Sequence, residues 1–422
     1  MIYRFAQIAF LVLVFSLGFM QPFVSLFRQR IHFSDFIFLF VFALWIVALI
    51  FKQTVFRQSK FYLPLAIYLI AFVCSTVFSI NPKLSVLKLL GEIYLIGLAV
   101  LSFNLIDTIE KLKKVFQAWL LATLFAGLAS LLTFVLFYID RDNSLLVSTL
   151  SHYGTLPPGN YPRITATFID PNMLCNYLSI SFLILLVSIK LEWINRIPSL
   201  ILLVLLSFAC VFTISPNLGG IFLIIGLWFW LNFKERKKFN FARLSLAGGI
   251  LSALLFFFAT VVTPIQTETS PFYLNVPLIE KRLDPSSRVL AWQSSLQTVA
   301  ENPIFGKGVG TDAAQAKYLN PSGRMETLLD AHQMWLNVAG QTGIFGLFAL
   351  CFLCIFLFRR ANVFSFVNQK LILQTALGIA FISAFLYQGL TGSYEDARHL
   401  WVLIGLLASV SESDFPKTVK NY

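Results

Sequence analysis

Residues 34–51 read SDFIFLFVFALWIVALIF, and after Asp35 this stretch has no charged residue until Lys52. An α-helix of about 20 apolar residues spans the hydrocarbon core of a bilayer. Only a helix or a closed barrel is tolerated there, because no water is present to satisfy backbone N–H and C=O groups. The stretch therefore predicts a membrane-spanning helix.

The rest of the chain repeats this pattern. Of its 422 residues, 58% are hydrophobic and 12% are charged, and the mean hydropathy is +0.78. Soluble domains carry about 25% charged residues. Twelve spans are predicted, at about 4–20, 34–51, 61–80, 84–103, 115–139, 172–189, 198–214, 217–232, 245–263, 333–357, 371–390 and 399–411. The predicted fold is all-α: one polytopic transmembrane domain over residues 1–422, whose first apolar run is a helix and not a cleaved signal peptide.

The basic residues predict the orientation. Of the 32 lysines and arginines, 19 lie at one set of helix ends and in the terminal segments on that side. Such residues mark the cytoplasmic side, so both termini are predicted to be cytoplasmic. The net charge of +12 is then explained by the membrane, without a nucleic-acid partner.

Two longer connections face the opposite side, over residues 140–171 and 264–332. The second, between the ninth and tenth spans, is predicted to be a large periplasmic loop with short interfacial helices. Within it, Ser287 to Ala300 shows the spacing of an amphipathic helix, whose apolar face would lie on the membrane surface. The glycines at 306, 308 and 310 predict a flexible turn after it.

Three polar residues on this side are candidates for chemistry. Arg163 and Arg288 can bind phosphate, and His332 suits proton transfer near neutral pH, with Asp330 or Glu326 to orient it. Each also has a structural interpretation. Arg163 could touch lipid phosphates before a helix capped by Asp170 and started by Pro171, Arg288 could extend to the membrane surface, and His332 could be a tolerated helix-end residue.

Other polar features favour structural roles. Lys88 and Glu92, four residues apart on the fourth span, are expected to pair. The tripeptide Asp140-Arg141-Asp142 formally matches a metal-binding D-x-D, but one such tripeptide on a loop is weak support. The five cysteines lie in apolar runs and are predicted to pack without disulfides. No metal site and no cofactor are predicted.

Four patterns together resemble the bacterial O-antigen ligases and polymerases. They lie in order between about residues 160 and 350, and the predicted topology extends the resemblance over the whole chain. The patterns are Arg163 with Thr167-Phe168-Ile169-Asp170-Pro171-Asn172, Ser287-Arg288 with Trp292, Asn302-Pro303-Ile304-Phe305-Gly306-Lys307-Gly308-Val309-Gly310, and His332 with Leu336 and Thr342-Gly343-Ile344-Phe345-Gly346.

The resemblance implies an enzyme of the bacterial inner membrane. Its members transfer a glycan from an undecaprenyl-pyrophosphate donor to a hydroxyl of the lipid A core or of a growing polysaccharide, on the periplasmic face. It implies that Arg163 and Arg288 bind the donor's phosphates and that His332 activates the acceptor. Asn172 and Trp292 are further candidate substrate-binding residues. Direct attack would invert the anomeric centre, without a metal.

One position departs from the family pattern. Members often carry Ser-Arg-Gly at the outward turn after the seventh span, where this chain has Ser215-Pro216-Asn217. Arg282 or Lys281 could supply the missing charge. Two other functions stay open: a flippase or transporter for lipid-linked oligosaccharides, and a scaffold whose outer loop docks a partner. The concentration of polar residues in one outer loop favours the enzyme over the transporter, which would need ionisable groups near the bilayer midplane.

Overall fold

A computed structural model describes residues 1–26, 29–153, 162–232, 236–262, 274–276, 281–283, 287–319, 325–361 and 369–412. In these ranges the chain is mainly α-helical. The helices are α1 (Ile2–Ser16), α2 (Phe33–Ile50), α3 (Tyr62–Val77), α4 (Pro82–Leu105), α5 (Ile109–Ile139), α6 (Ser144–Thr149), α7 (Pro171–Lys190), α8 (Arg196–Phe212), α9 (Leu218–Asn232), α10 (Arg236–Val262), α11 (Ser287–Glu301), α12 (Met334–Ala361), α13 (Gln369–Ala380) and α14 (Arg398–Glu412).

The predicted all-α membrane fold is confirmed. Each predicted span coincides with one of these helices, and α6 and α11 are additional. By length and composition, seven described helices can cross a membrane, among them α2, α5 and α7, and four shorter apolar helices have 10–17 residues. The apolar runs thus form helices close to the predicted bounds, because backbone hydrogen bonds must be closed within each segment.

Burial separates central helices from peripheral ones. In the span of α7, 78% of the residues are buried inside the protein, against 17% between Asn240 and Phe258 of α10. Every residue of α14 from His399 to Val410 is also buried. A helix that is apolar on all sides lies in the interior or faces lipid. We infer that α7 and α14 form the centre of the bundle and that α10 exposes most of its surface to lipid.

Four short antiparallel ribbons accompany the helices. They pair β1 (Phe23–Leu26) with β2 (Gln29–His32), β3 (Leu150–Tyr153) with β4 (Pro162–Ile164), β5 (Leu274–Val276) with β6 (Lys281–Leu283), and β7 (Ala316–Leu319) with β8 (Met325–Leu328). Two of these ribbons lie in the predicted large loop, whose described residues also include α11. The sequence analysis predicts the helix but neither ribbon.

Helices α12 and α13 are both irregular. Helix α12 is broken at Gly343, whose φ is 68°. Helix α13 continues as a π-helix over Phe381–Tyr387 and a 3₁₀ turn over Gln388–Leu390. π-Helical turns often mark functional sites. Here the irregular segment ends at the end of the bundle where α7, α9, α12 and α14 begin, which we call the loop end.

Candidate functional site

Arg163 lies on β4 at the loop end, just before α7. Its Nε donates to the carbonyl of Thr213 at 3.0 Å, and one terminal nitrogen donates to Asn172 Oδ1 at 2.9 Å. Asp170 caps α7 by accepting from the backbone N–H groups of Asn172 and Met173, and Pro171 takes the first helical position. The predicted start of this helix is confirmed. Helix α7 thereby fixes Asn172 against the guanidinium.

The turn Ser215-Pro216-Asn217, where an arginine was expected, packs against the same asparagine. Ser215 Oγ donates to Asn172 Oδ1 at 2.8 Å, and Asn217 Nδ2 donates to the carbonyl of Asn172 at 2.8 Å. Ile214 before the turn has φ of 46°. A positive φ is rare for a β-branched residue and indicates that the surrounding structure imposes it. The turn therefore contributes hydrogen bonds in place of a positive charge.

Arg288 begins α11 and is held by neutral groups. It donates to the carbonyl of Thr391 at 3.0 Å, and its guanidinium lies 5.0 Å from the centre of the Phe256 ring. In the described part of the chain, no carboxylate lies within 4.0 Å of it. Burial lowers the pKa of Arg288, Tyr394 opposes this, and the positive charge of Arg163 lowers the pKa further. The positive charges of the two arginines therefore act on each other.

His332 precedes α12 and contacts Asp330. Its Nδ1 lies 3.6 Å from Asp330 Oδ1, and 43% of its side chain is exposed. The same carboxylate oxygen accepts a hydrogen bond from the backbone N–H of His332 and one from Ser393 Oγ at 2.8 Å. His332 has φ of 48°. Of the two residues predicted to orient His332, Asp330 is the one in contact with it. Its carboxylate accepts a hydrogen bond from the His332 backbone, whose φ is strained, and also lies near the imidazole ring.

A polar segment between α13 and α14 joins these parts. Thr391 accepts from Arg288, Ser393 donates to Asp330, and Tyr394 OH receives a hydrogen bond from Asn217 Nδ2 at 2.7 Å. The sequence analysis did not identify this segment. Its signal is the run Thr391-Gly392-Ser393-Tyr394-Glu395-Asp396, which is polar between two apolar blocks. We call Arg163, Asn172, Arg288, Asp330 and His332, which this segment connects, the arginine pocket.

Comparison with known proteins gives one match. Residues 201–351 match the family described as O-antigen ligase. The match covers 151 of the 422 residues, and over this segment the chain is similar to O-antigen ligases. It includes the turn at Ser215, Arg288 and His332, whereas Arg163, Asn172 and the 391–394 segment lie outside it. No curated protein matches the chain significantly.

The O-antigen ligase resemblance included two glycine-containing patterns, and the structure shows that they bind each other. The break in α12 leaves backbone groups without helical partners, and residues 303–308 satisfy them. Lys307 and Gly308 donate to the carbonyls of Gly340 and Gln341 at 3.0 Å, and Ile344 donates to the carbonyl of Pro303 at 2.8 Å. A Cβ on Gly306 would lie 2.3 Å from the Gln341 carbonyl. The prediction of a flexible turn is therefore wrong, because the turn is docked on α12.

Trp292 makes its described ring contact outside the arginine pocket. The Trp292 ring lies 5.9 Å from that of Phe257 on α10. Leu296, on the same predicted apolar face of α11, is 56% exposed. Helix α11 instead buries its small residues Ala291, Ser295 and Thr298. Arg282 pairs with Asn275 in the β5–β6 ribbon, and its side chain lies outside the described part of the structure.

The remaining polar features have structural partners. Lys88 pairs with Glu92 at 3.8 Å as predicted, but Asp396 is closer, at 3.0 Å. Asp140 and Asp142 are exposed at the end of α5, and Arg141 lies over the Phe137 ring at 5.0 Å. The five cysteines are free. Within the described ranges, no group of three or more His, Cys, Asp and Glu residues is arranged to hold a metal ion.

Proposed function

We propose that this chain transfers a glycan from an undecaprenyl-pyrophosphate donor to an acceptor hydroxyl, at the periplasmic face of the bacterial inner membrane. The observation that carries the proposal is the arginine pocket. No described carboxylate lies within 4.0 Å of Arg288, although Asp170 and Asp330 act on its charge from farther away. The charge of Arg163 also acts on it, and His332 is connected to both arginines through Asp330 and the 391–394 segment.

The donor's chemistry explains this arrangement. As the bond between the sugar and the pyrophosphate breaks, negative charge grows on the leaving phosphate oxygens. Guanidinium groups bind such oxygens through two parallel hydrogen bonds and stabilise the growing charge. Because Arg163 and Arg288 are already fixed by carbonyl and amide oxygens, little reorganisation is needed when the donor binds.

The acceptor requires a base. His332 takes the proton of the attacking hydroxyl, and Asp330 stabilises the imidazolium that forms. The oxygen then attacks the anomeric carbon from the face opposite the pyrophosphate, so the configuration inverts. The new glycosidic bond forms as the sugar–phosphate bond breaks, and undecaprenyl pyrophosphate leaves with the electron pair. No metal is required by this sequence of steps.

The test is His332→Asn, assayed with purified protein and a lipid-pyrophosphate donor. Asparagine tolerates the positive φ of 48° but cannot act as a base. We expect transfer to fall by about 100-fold to 10,000-fold with protein level unchanged. Lys52→Ala, at another residue with positive φ, controls for backbone strain. Normal transfer by His332→Asn would remove the assignment.

Two further readouts separate the remaining functions. A flippase would move the lipid-linked glycan across the bilayer and show no transfer in this assay, and an added chelator tests the metal-independent mechanism. In a deletion strain, accumulation of lipid-linked polymer would indicate a missing ligase, and single lipid-linked repeat units a missing polymerase.

A further inference from the structure

A second cavity of about 370 Å³ opens beside the arginine pocket. Its polar lining consists of Arg30, His32, Lys88, Tyr94, Asp396 and Arg398. Ligand sites commonly have volumes of about 300–1,000 Å³ and a few convergent polar groups. The size and lining of this second cavity are those of a site for a small polar ligand or for part of a larger one.

The second cavity shares two walls with the arginine pocket. The start of α7 places Asn172 in the pocket and Ile169 and Met173 in the cavity. Likewise, the polar segment after α13 uses Ser393 to hold Asp330, and three residues later Asp396 lines the cavity. The second cavity and the arginine pocket are therefore built on the same two segments of the chain.

Most of the charge in the cavity is balanced within the protein. Arg398 donates twice to Asp35, at 2.6 and 2.8 Å. Lys88 lies 3.0 Å from Asp396 and 3.8 Å from Glu92. Arg30 differs from both, because no carboxylate of the described chain lies within 4.0 Å of it, and its guanidinium is exposed, 5.2 Å from the Phe23 ring centre. The cavity thus offers one unbalanced positive charge.

The other lining groups suit hydroxyls. His32 Nδ1 lies 2.6 Å from the carbonyl of Met20. A carbonyl only accepts, so Nδ1 carries the proton and Nε2 is left as an acceptor. Burial lowers the pKa of His32, and the nearby Arg398 lowers it further, which keeps the ring neutral. The Asp396 side chain is 49% exposed and can accept from more than one hydroxyl.

We propose that the second cavity is the acceptor subsite, and that it binds a saccharide carrying one anionic group, a phosphate or a carboxylate. This inference rests on the proposed transferase function. Arg30 binds the anionic group, while Asp396 accepts hydrogen bonds from sugar hydroxyls. Bound in this way, the acceptor saccharide lies against the wall that carries Asp330 and His332.

The experiment measures binding without donor. Full-length protein in phosphatidylcholine nanodiscs is titrated with glucose, glucose 6-phosphate, glucuronic acid and inorganic phosphate, and binding is followed by saturation-transfer NMR. The variant is Arg30→Gln. The matched control is Lys83→Gln, which removes one positive charge from an exposed residue in the first turn of α4, outside the cavity lining. The same titrations are repeated in the Arg288→Gln background, so that anions bound by the arginine pocket do not contribute.

We expect both anionic sugars to bind wild-type protein about tenfold more tightly than glucose. In the Arg288→Gln background, Arg30→Gln should lose that difference, and Lys83→Gln should keep it. The two anionic sugars together show whether phosphate or carboxylate is preferred. The proposal is overturned if glucose binds equally well, if inorganic phosphate binds as tightly as glucose 6-phosphate, or if Lys83→Gln causes the same loss.

A parallel transfer assay separates this inference from the function on which it rests. If wild-type protein binds the anionic sugars through Arg30 but transfers no glycan, the transferase proposal fails and the saccharide site stands. If transfer is normal and Arg30→Gln changes neither sugar binding nor the acceptor KM, the acceptor subsite fails and the transferase proposal stands.

Discussion

The arginine pocket and the second cavity differ in the groups that surround their positively charged side chains. In the pocket, Arg288 is held by a carbonyl oxygen and an aromatic ring, and Arg163 donates to a carbonyl and an amide oxygen. In the cavity, Arg398 and Lys88 are paired with Asp35 and Asp396. Neutral acceptors orient a guanidinium without cancelling its charge, whereas carboxylates do both.

This difference distinguishes a cation whose charge is paired within the protein from one whose charge is not. The pair between Arg398 and Asp35 joins the start of α14 to the start of α2, 363 residues apart in the chain. Because the two charges of this pair neutralise each other within the protein, the pair stabilises the packing of the two helices. In the proposed function, the charge of Arg288 binds the donor's phosphates, although the positive charge of Arg163 repels it. Geometry around each cation, and not the number of cations, thus distinguishes a binding site from a structural contact.

Among the changes of charge, the largest effect is expected for Arg288→Ala. Removing a charged donor from a preorganised site should lower the transfer rate by about 100-fold to 1,000-fold. Arg288→Lys should recover little, because an ammonium lacks the planar fork. Transfer kinetics with purified protein measure both.

The matched control for Arg288→Ala is Arg141→Ala. Arg141 also lies over a phenylalanine ring at the loop end, at 5.0 Å from the ring centre. Its replacement should leave transfer close to normal. An equal loss in Arg141→Ala would show that the effect is not specific to the pocket.

A smaller effect is expected for Asn172→Asp, which replaces the amide in contact with the Arg163 guanidinium by a carboxylate of nearly the same shape. The side chain already accepts at 2.9 Å from the guanidinium, so the fold should be kept. Neutralising this charge should raise the KM for the donor by about tenfold, without loss of thermal stability.

Asn81→Asp is the control for Asn172→Asp. It makes the same change at the N-cap of α4, where asparagine accepts from the N–H of Leu84 and aspartate caps equally well. If Asn172→Asp leaves the donor KM unchanged while Arg288→Ala is inactive, Arg163 is a structural residue and the pocket binds its anion through Arg288.

The smallest effect on transfer, and a clear effect on stability, is expected for Asp35→Asn. It leaves Arg398 without its carboxylate, and losing a hydrogen bond to a charged group costs about 1.5–3 kcal/mol. Thermal unfolding in detergent measures this, with Asp142→Asn, at an exposed residue of the loop end, as the control.

A double variant tests whether Asp35 and Arg398 act as a pair. Asp35→Asn combined with Arg398→Gln should cost less stability than the sum of the single changes, because neither charge is then left unpaired. Additive losses would show that the two residues do not act as a pair.

Much of the fold follows from local sequence. The twelve apolar runs predicted the helices, and Asp170-Pro171 predicted the start of α7, because hydropathy and capping act within about 20 residues. Arginine suits phosphate binding and histidine suits proton transfer, so the residue types alone also indicated Arg163, Arg288 and His332 as candidates. Local patterns did not reveal the break in α12 as a docking site for residues 303–308, since neither segment has the exposed backbone groups without the other.

The sequence by itself determined that this protein is a helical membrane protein, that residues 201–351 are similar to O-antigen ligases, and which of its polar residues are candidates for chemistry. Only the tertiary structure decided what holds them. Thr391 lies 103 residues from Arg288, and Thr213 lies 50 residues from Arg163. Whether an arginine meets a carbonyl or a carboxylate depends on how distant helices pack, and no pattern within one segment records that.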